Sequence, residues 1–238
     1  MGTQDRNQEL VRSRFIMAKP LYLSTVEKWA KEPAENKNGF TEQTRAIYAS
    51  AAEEAEKEHI DGNAVQVCEL IFAEKEDGAE RIISRIPFLV TYQYKESPYG
   101  KGEHDWFATP KMYNVHSWEY GTPQIASPPL KKEQNSHADY LCSAVFTMHA
   151  VIRSVARSVA ANSSIPYNSE ITDGWLQDSG AAHEFIVRAK YLLHDWFEKQ
   201  HKQSRSPIDQ DTINQNAAFL MRSLAALTNS TDEGDVSK

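Results

Sequence analysis

Residues 64–72 read Ala64-Val65-Gln66-Val67-Cys68-Glu69-Leu70-Ile71-Phe72, and residues 80–95 contain Ile82, Ile83, Ile86, Phe88, Val90, Tyr92 and Tyr94. The first run, through residue 73, alternates and is rich in β-branched side chains, which predicts a strand. Lys75-Glu76-Asp77-Gly78 is a turn signal of the hairpin kind, so the second run returns as its antiparallel partner. Pro87 lacks an N–H and calls for a bulge or an edge position. A third strand is expected over 111–119, where Met112, Asn114 and His116 alternate with Tyr113, Val115 and Ser117. An antiparallel hairpin or three-stranded sheet thus sits in mid-chain, and the fold class is α+β.

Upstream, residues 6–18 suggest a short helix carrying Leu10, Val11 and Phe15, ended by Pro20. Ser24-Thr25-Val26-Glu27 has the spacing of a capping box and starts a second helix that groups Val26, Trp29 and Ala30 before Pro33. Thr41 caps a third, reaching about His59, with Ile47 and Tyr48 as its main large apolar residues. That composition describes a surface helix whose acidic end, EEAEKE, faces water. Downstream, three helices are expected at about 136–161, 179–203 and 209–228. The first has a stripe at Leu141, Val145, Met148, Ile152, Val155 and Val159, and the second one at Phe185, Ala189, Leu192 and Trp196, widened by Ile186, Leu193 and Phe197. The third carries Ile213, Ala217, Leu220, Leu224 and Leu227. Such stripes predict a C-terminal three-helix bundle packed on itself, or a homo-oligomer formed through these helices. The whole reads as one α+β domain over 1–228, divisible into 1–120 and 136–228 across a Pro-rich connection, with a disordered tail over 229–238.

The net charge of −7 is uneven. Residues 41–80 hold eleven acids against Arg45, Lys57 and Lys75, so the rest of the chain sums to +1. This argues against a wholly nucleic-acid-coated protein and leaves room for a local anionic partner. No apolar run approaches the roughly 20 residues of a membrane span, and the N-terminal stretch lacks the apolar segment of a secretory signal. Cys68 and Cys142, both in apolar surroundings, fit buried free thiols in a cytoplasmic protein.

Eight aromatic residues lie between Tyr92 and Tyr120. Within that stretch Tyr99, Lys101, His104, Trp106, Phe107, Lys111, Tyr113 and Trp118 form the candidate recognition surface. Three readings are open. The aromatics can be core. They can anchor a protein partner. With Lys101, Lys111, Arg153 and Arg157 they can stack on single-stranded nucleic acid. Lys95, Lys101 and Lys111 are matched locally by Glu96, Glu103, Asp105 and Glu119, which favours a protein partner over phosphate. Glu103-His104-Asp105 with His116 is a minor acid–base candidate.

Nucleotide-binding glycine loops, zinc-protease and serine-hydrolase motifs, and cysteine zinc patterns are all missing from the sequence, and no motif calls for a cofactor. The expectation is a non-enzymatic adaptor, inhibitor or assembly subunit. One local run offers an alternative. Tyr191-Leu192-Leu193-His194-Asp195-Trp196-Phe197, over about ten residues, resembles the central His-Asp helix of HD-domain phosphohydrolases. The resemblance implies a metal that activates water, held by His194 and Asp195 with His149 or His183 before them and Asp209 or Asp211 after. Trp196 stands where that family has a small residue. Without a metal, His194 would lie beside the apolar stripe and Asp195 would pair with Lys199.

Overall fold

The computed structural model describes residues 13–76, 78–96, 104–122, 124–125, 137–177 and 180–200. Its centre is the expected hairpin, longer than the sequence suggested. Strand β1 (Ser13–Leu21) is followed by helices α1 (Leu23–Lys31) and α2 (Glu42–Ile60). Next come strands β2 (Ala64–Glu76), β3 (Ala79–Glu96), β4 (His104–Asn114), β5 (Ser117–Tyr120) and β6 (Gln124–Ile125). Helices α3 (His137–Ser163), α4 (Ser169–Gln177) and α5 (Gly180–Gln200) complete the described chain. All six strands pair antiparallel in the order β1-β2-β3-β4-β5, and β6 continues along the β5 side of β4.

Four expectations need correction. The segment expected as the end of a helix at 6–18 is strand from Ser13 onward. Phe15-Ile16-Met17-Ala18 is a short apolar run, which periodicity alone cannot assign. Ile16, Met17 and Ala18 are fully buried. Pro20 does not end the element, because β1 lies at the sheet edge and its outer side needs no N–H donor there. The third strand begins earlier than 111, at His104, and 111–119 contains a hairpin rather than one strand. Val115, with φ of 48°, turns the chain between β4 and β5. The capping box at Ser24 does not form. Helix α1 starts at Leu23, whose N–H donates to Glu184 Oε2 of α5 at 2.8 Å. Finally, the C-terminal helices do not form a bundle of their own among the described residues. Helices α3 and α5 lie on the sheet, and α4, unforeseen, packs on β1. The expected helix at 209–228 and the tail lie outside the described residues.

The sheet is covered on both faces, so β2 is buried along nearly its whole length instead of alternating. On one face Ala64, Cys68, Leu70, Phe88, Val90, Tyr92, Trp106 and Ala108 meet the stripe Leu141, Val145, Met148, Ile152 and Val155 of α3, with Phe185, Ile186, Ala189 and Leu193 of α5. The stripe is therefore spent on the sheet. On the other face Leu21, Val65, Val67 and Leu89 meet Val26 of α1 and Tyr48, Ala51 and Ala55 of α2. Thr41 caps α2 as expected, accepting from Thr44 N–H at 3.2 Å. Pro87 sits where the ladder to β4 has ended, since that ladder begins at Phe88. Residues 166–168 pair with the outer edge of β1 at Ile16, which shields part of that edge.

Candidate functional site

The aromatic segment divides on folding. Trp106 is 1% exposed and packs at 5.1 Å from Tyr94 inside the core under α3 and α5. Phe107 is buried, with the Lys95 ammonium 4.7 Å from its ring centre. Tyr113 and Trp118 meet edge to face at 5.5 Å on the β4–β5 hairpin. Their polar ends are used within the chain: Trp118 Nε1 donates to Ser50 Oγ at 2.9 Å, and Tyr113 OH to Val115 O at 3.1 Å. Tyr99 and Lys101 lie outside the described residues, as does the side chain of His104. His116 is exposed in the hairpin turn. Arg153 and Arg157 are engaged at home, the first on Asp173 at 2.6 Å and the second over the Tyr167 ring.

Lys111 is the exposed-site candidate that moved furthest. Alternation along β4 turns it toward α2, where it is buried and bonds both Glu54 and Glu58. The acidic end of α2, expected to face water, thus supplies the counter-charge for a buried lysine. Burial opposes the Lys111 charge, but its carboxylate partners outweigh that and hold its pKa above the ordinary value. Burial likewise acts against ionised Glu58, yet Lys111, Tyr120 and Asn63 hold its pKa low. Tyr120 closes this cluster, with its hydroxyl on Glu58 and its ring 4.1 Å from the Lys111 ammonium. All these groups satisfy one another, as in a structural polar network.

A second network, nearer β1, does not close on itself. Glu69 interrupts the apolar run of β2 and is fully buried. It accepts from Tyr48 OH at 2.5 Å, from Arg85 Nη1 at 2.9 and 3.1 Å, and faces Lys19 Nζ at 3.2 Å. Burial, and then the Glu69 charge, push the Tyr48 phenol well above its usual pKa, so it remains a donor. One carboxylate therefore balances two cations.

Arg85 also lines a cleft of about 500 Å³ walled by Trp29, Pro33 and Phe40, to which Lys37, Glu32 and Glu35 contribute charges of both signs. Trp29, Phe40 and Tyr48 form a mutually tilted aromatic cluster with centroids 5.3–5.8 Å apart. Arg85 lies 5.7 Å from the Trp29 ring and donates through Nε to Asn38 O at 2.9 Å. Its Nη2 makes no hydrogen bond among the described residues. The loop that supplies this wall turns through left-handed residues at Asn36, Asn38 and Gly39. A Cβ on Gly39 would lie 2.9 Å from the Ser84 backbone, so only glycine lets the loop approach β3 and Arg85 this closely. The guanidinium is thus held through Nε and Nη1 beside the Trp29 ring, in the lining of the cleft. Such an arrangement accepts an anionic group attached to something flat or apolar.

His149 lies on α3, nearly fully buried, with Nε2 lacking a partner among the described residues. Burial, and secondarily the nearby Arg153 charge, lower its pKa to about 3. His194 and Asp195 lie on α5, but their side chains fall outside the described residues. Among the described residues no three of His, Cys, Asp or Glu converge as metal ligands. No described helix is long and apolar enough to cross a membrane.

Trp29, Arg85, Glu69 and Lys19 escaped the sequence reading as site residues. The available signal was Glu69, a carboxylate in the middle of an apolar strand, which must find cations when buried. Compared with protein-family models, curated proteins and solved structures, the chain gives no significant match.

Proposed function

We propose that this chain is a non-enzymatic interaction protein, and that the cleft between Trp29, Phe40 and Arg85 receives an anionic group of a protein partner. The observation that carries the reading is Arg85, anchored by Glu69 and Asn38 with Nη2 left over in an aromatic-walled cleft. An arginine held in this way is pre-organised, so less entropy is lost when it pairs with a carboxylate. The cleft replaces the aromatic segment as the preferred recognition site, because Trp106, Phe107 and Lys111 are taken up inside the fold and Tyr113 and Trp118 use their polar atoms locally.

The test is a titration of the isotopically labelled protein with benzoate, and with neutral benzamide as control. The Trp29 indole N–H resonance is expected to shift with benzoate alone, and Arg85→Lys to weaken that binding about tenfold because a single ammonium cannot keep the Glu69 and Asn38 bonds and also occupy the position of Nη2. An unmoved Trp29 resonance, or equal response to both probes, overturns the proposal.

A further inference from the structure

An apolar cleft of about 290 Å³ is lined by Phe15, Phe72, Ile83, Ile86 and Ile165, with Arg14 beside them. It shares no described lining residue with the Arg85 cleft. Two local features build it. Phe72 pairs with Ser84 and Ala73 with Ile82, so Ile83 has no partner across the ladder and forms a β-bulge. A bulge re-aims the side chains around it, and Ile83, 44% exposed, is set in the lining of the cleft. Ile165 is placed by the turn that follows α3. Ser164 takes a left-handed φ of 58°. The chain then joins β1, with Ile16 N–H donating to Pro166 O and Asn168 N–H to Ile16 O, each at 2.8 Å. Backbone pairing thus holds both isoleucines in position, and the cleft is formed before any ligand arrives.

Among the described residues that line the cleft, Arg14 alone is charged. Its one ion pair, from Nε to Glu74 Oε2, spans 3.8 Å, beyond hydrogen-bond reach. Glu74 does not depend on that pair, because Arg81 bonds Glu74 Oε1 through both Nε and Nη2. The Arg14 guanidinium therefore keeps its donors beside an apolar lining. We propose that this cleft binds a single-chain alkyl carboxylate of about six to eight carbons. The chain lies against Phe72, Ile83, Ile86 and Ile165, and the carboxylate takes the guanidinium fork of Arg14. The volume stands at the lower limit of ligand pockets, which suits one short chain and not a two-chain lipid. One cation with a carboxylate already near it matches a single negative charge. A phosphate-rich ligand calls for a more basic surface.

The experiment titrates the full chain, labelled at the isoleucine methyl groups, with butanoate, hexanoate, octanoate and dodecanoate below its micelle concentration, and with neutral octanol. Octanoate is expected to shift the methyls of Ile83, Ile86 and Ile165 and to leave Ile60 unmoved, although Ile60 is 76% exposed. Affinity should rise about threefold per added methylene from butanoate to octanoate as more chain is buried, and no further at dodecanoate. Arg14→Gln should weaken octanoate about fivefold by removing the charged donor, with octanol binding unchanged. Ile83→Asp should abolish the octanoate shifts, and Arg85→Lys should leave them as they are. The proposal is overturned if Ile60 moves with the cleft isoleucines, if octanol binds as well as octanoate, if affinity still climbs at dodecanoate, or if Arg14→Gln changes nothing. It also falls if no carboxylate shifts these methyls and sedimentation shows self-association that Ile83→Asp removes, because a second copy of the chain then covers the cleft.

Discussion

Beneath α3 and α5 the sheet presents Phe88, Val90, Tyr92, Trp106 and Ala108, whereas beneath α1 and α2 the same strands present Glu69, Arg85 and Lys111 beside Val65, Val67 and Leu89. The first face is a conventional core: large side chains against helical stripes, with Tyr92 and Phe185 in contact at 4.5 Å. It tolerates a few polar atoms without partners among the described residues, such as Tyr92 OH and Ser143 Oγ. The second face buries formal charges and must satisfy each one. Around Lys111 the satisfaction is complete. Around Glu69 one carboxylate meets two cations, and one of them, Arg85, also lines a cleft. One face is thus an apolar core, and the other buries charges and borders the cleft for which we propose recognition.

The largest expected effect falls on the apolar face. Trp106→Ala should cost about 4 kcal/mol in denaturant unfolding, through lost burial and the cavity it leaves. A loss near zero would mean that the helical layer does not rest on this strand. Because the change strikes the core, any loss of binding that accompanies it carries no information about recognition.

On the charged face, Glu69→Gln should cost about 3 kcal/mol, since it leaves Lys19 and Arg85 without their shared counter-charge. The comparison breaks if Glu69→Gln is neutral, because the hub would then be ornamental to the fold.

His149 sharpens the contrast through pH. The group is neutral in both folded and unfolded chains above its ordinary pKa of 6.5, but the folded pKa is about 3. As pH falls between these values the unfolded chain takes up a proton that the native one refuses, so stability drops by up to about 1.4 kcal/mol per pH unit. His149→Leu should flatten that slope between pH 6.5 and 5, above the range where most carboxylates titrate. An unchanged slope in the variant would show that His149 reaches solvent in the native state.

Smaller still, Tyr48→Phe should cost about 1.5 kcal/mol by removing the donor to Glu69, with the Arg85 cleft and its benzoate response retained. Lys28→Ala, which breaks only the exposed pair with Glu32 at 3.5 Å, should change stability by less than about 0.5 kcal/mol. A larger change would mean that the surface charge around Trp29 is coupled to the buried hub.

What was legible in the sequence follows the range of the forces involved. The β2–β3 hairpin, the Thr41 cap, and the helices at 137–163 and 180–200 rest on local signals, namely alternation, a turn, a hydroxyl near the helix start and a stripe at helical spacing. These fix element type because the partners are near neighbours in the chain. The first strand was illegible because four apolar residues in a row fit either period, and only pairing with β2 decides between them. The capping box at Ser24 lost to a carboxylate far along the chain, Glu184. The candidate surface of Tyr99 to Trp118 was chosen on aromatic density, and density does not reveal which side of a strand faces helices. By itself, the sequence determined that this is an α+β chain with a central antiparallel hairpin and long amphipathic helices after it. The tertiary structure alone decided that the sheet is covered on both faces, that Lys111 is buried while Arg85 opens to a cleft, and that Glu69 joins Lys19 to Arg85. Burial and charge pairing act between residues distant in sequence, and no local pattern encodes which distant residue will answer a buried charge.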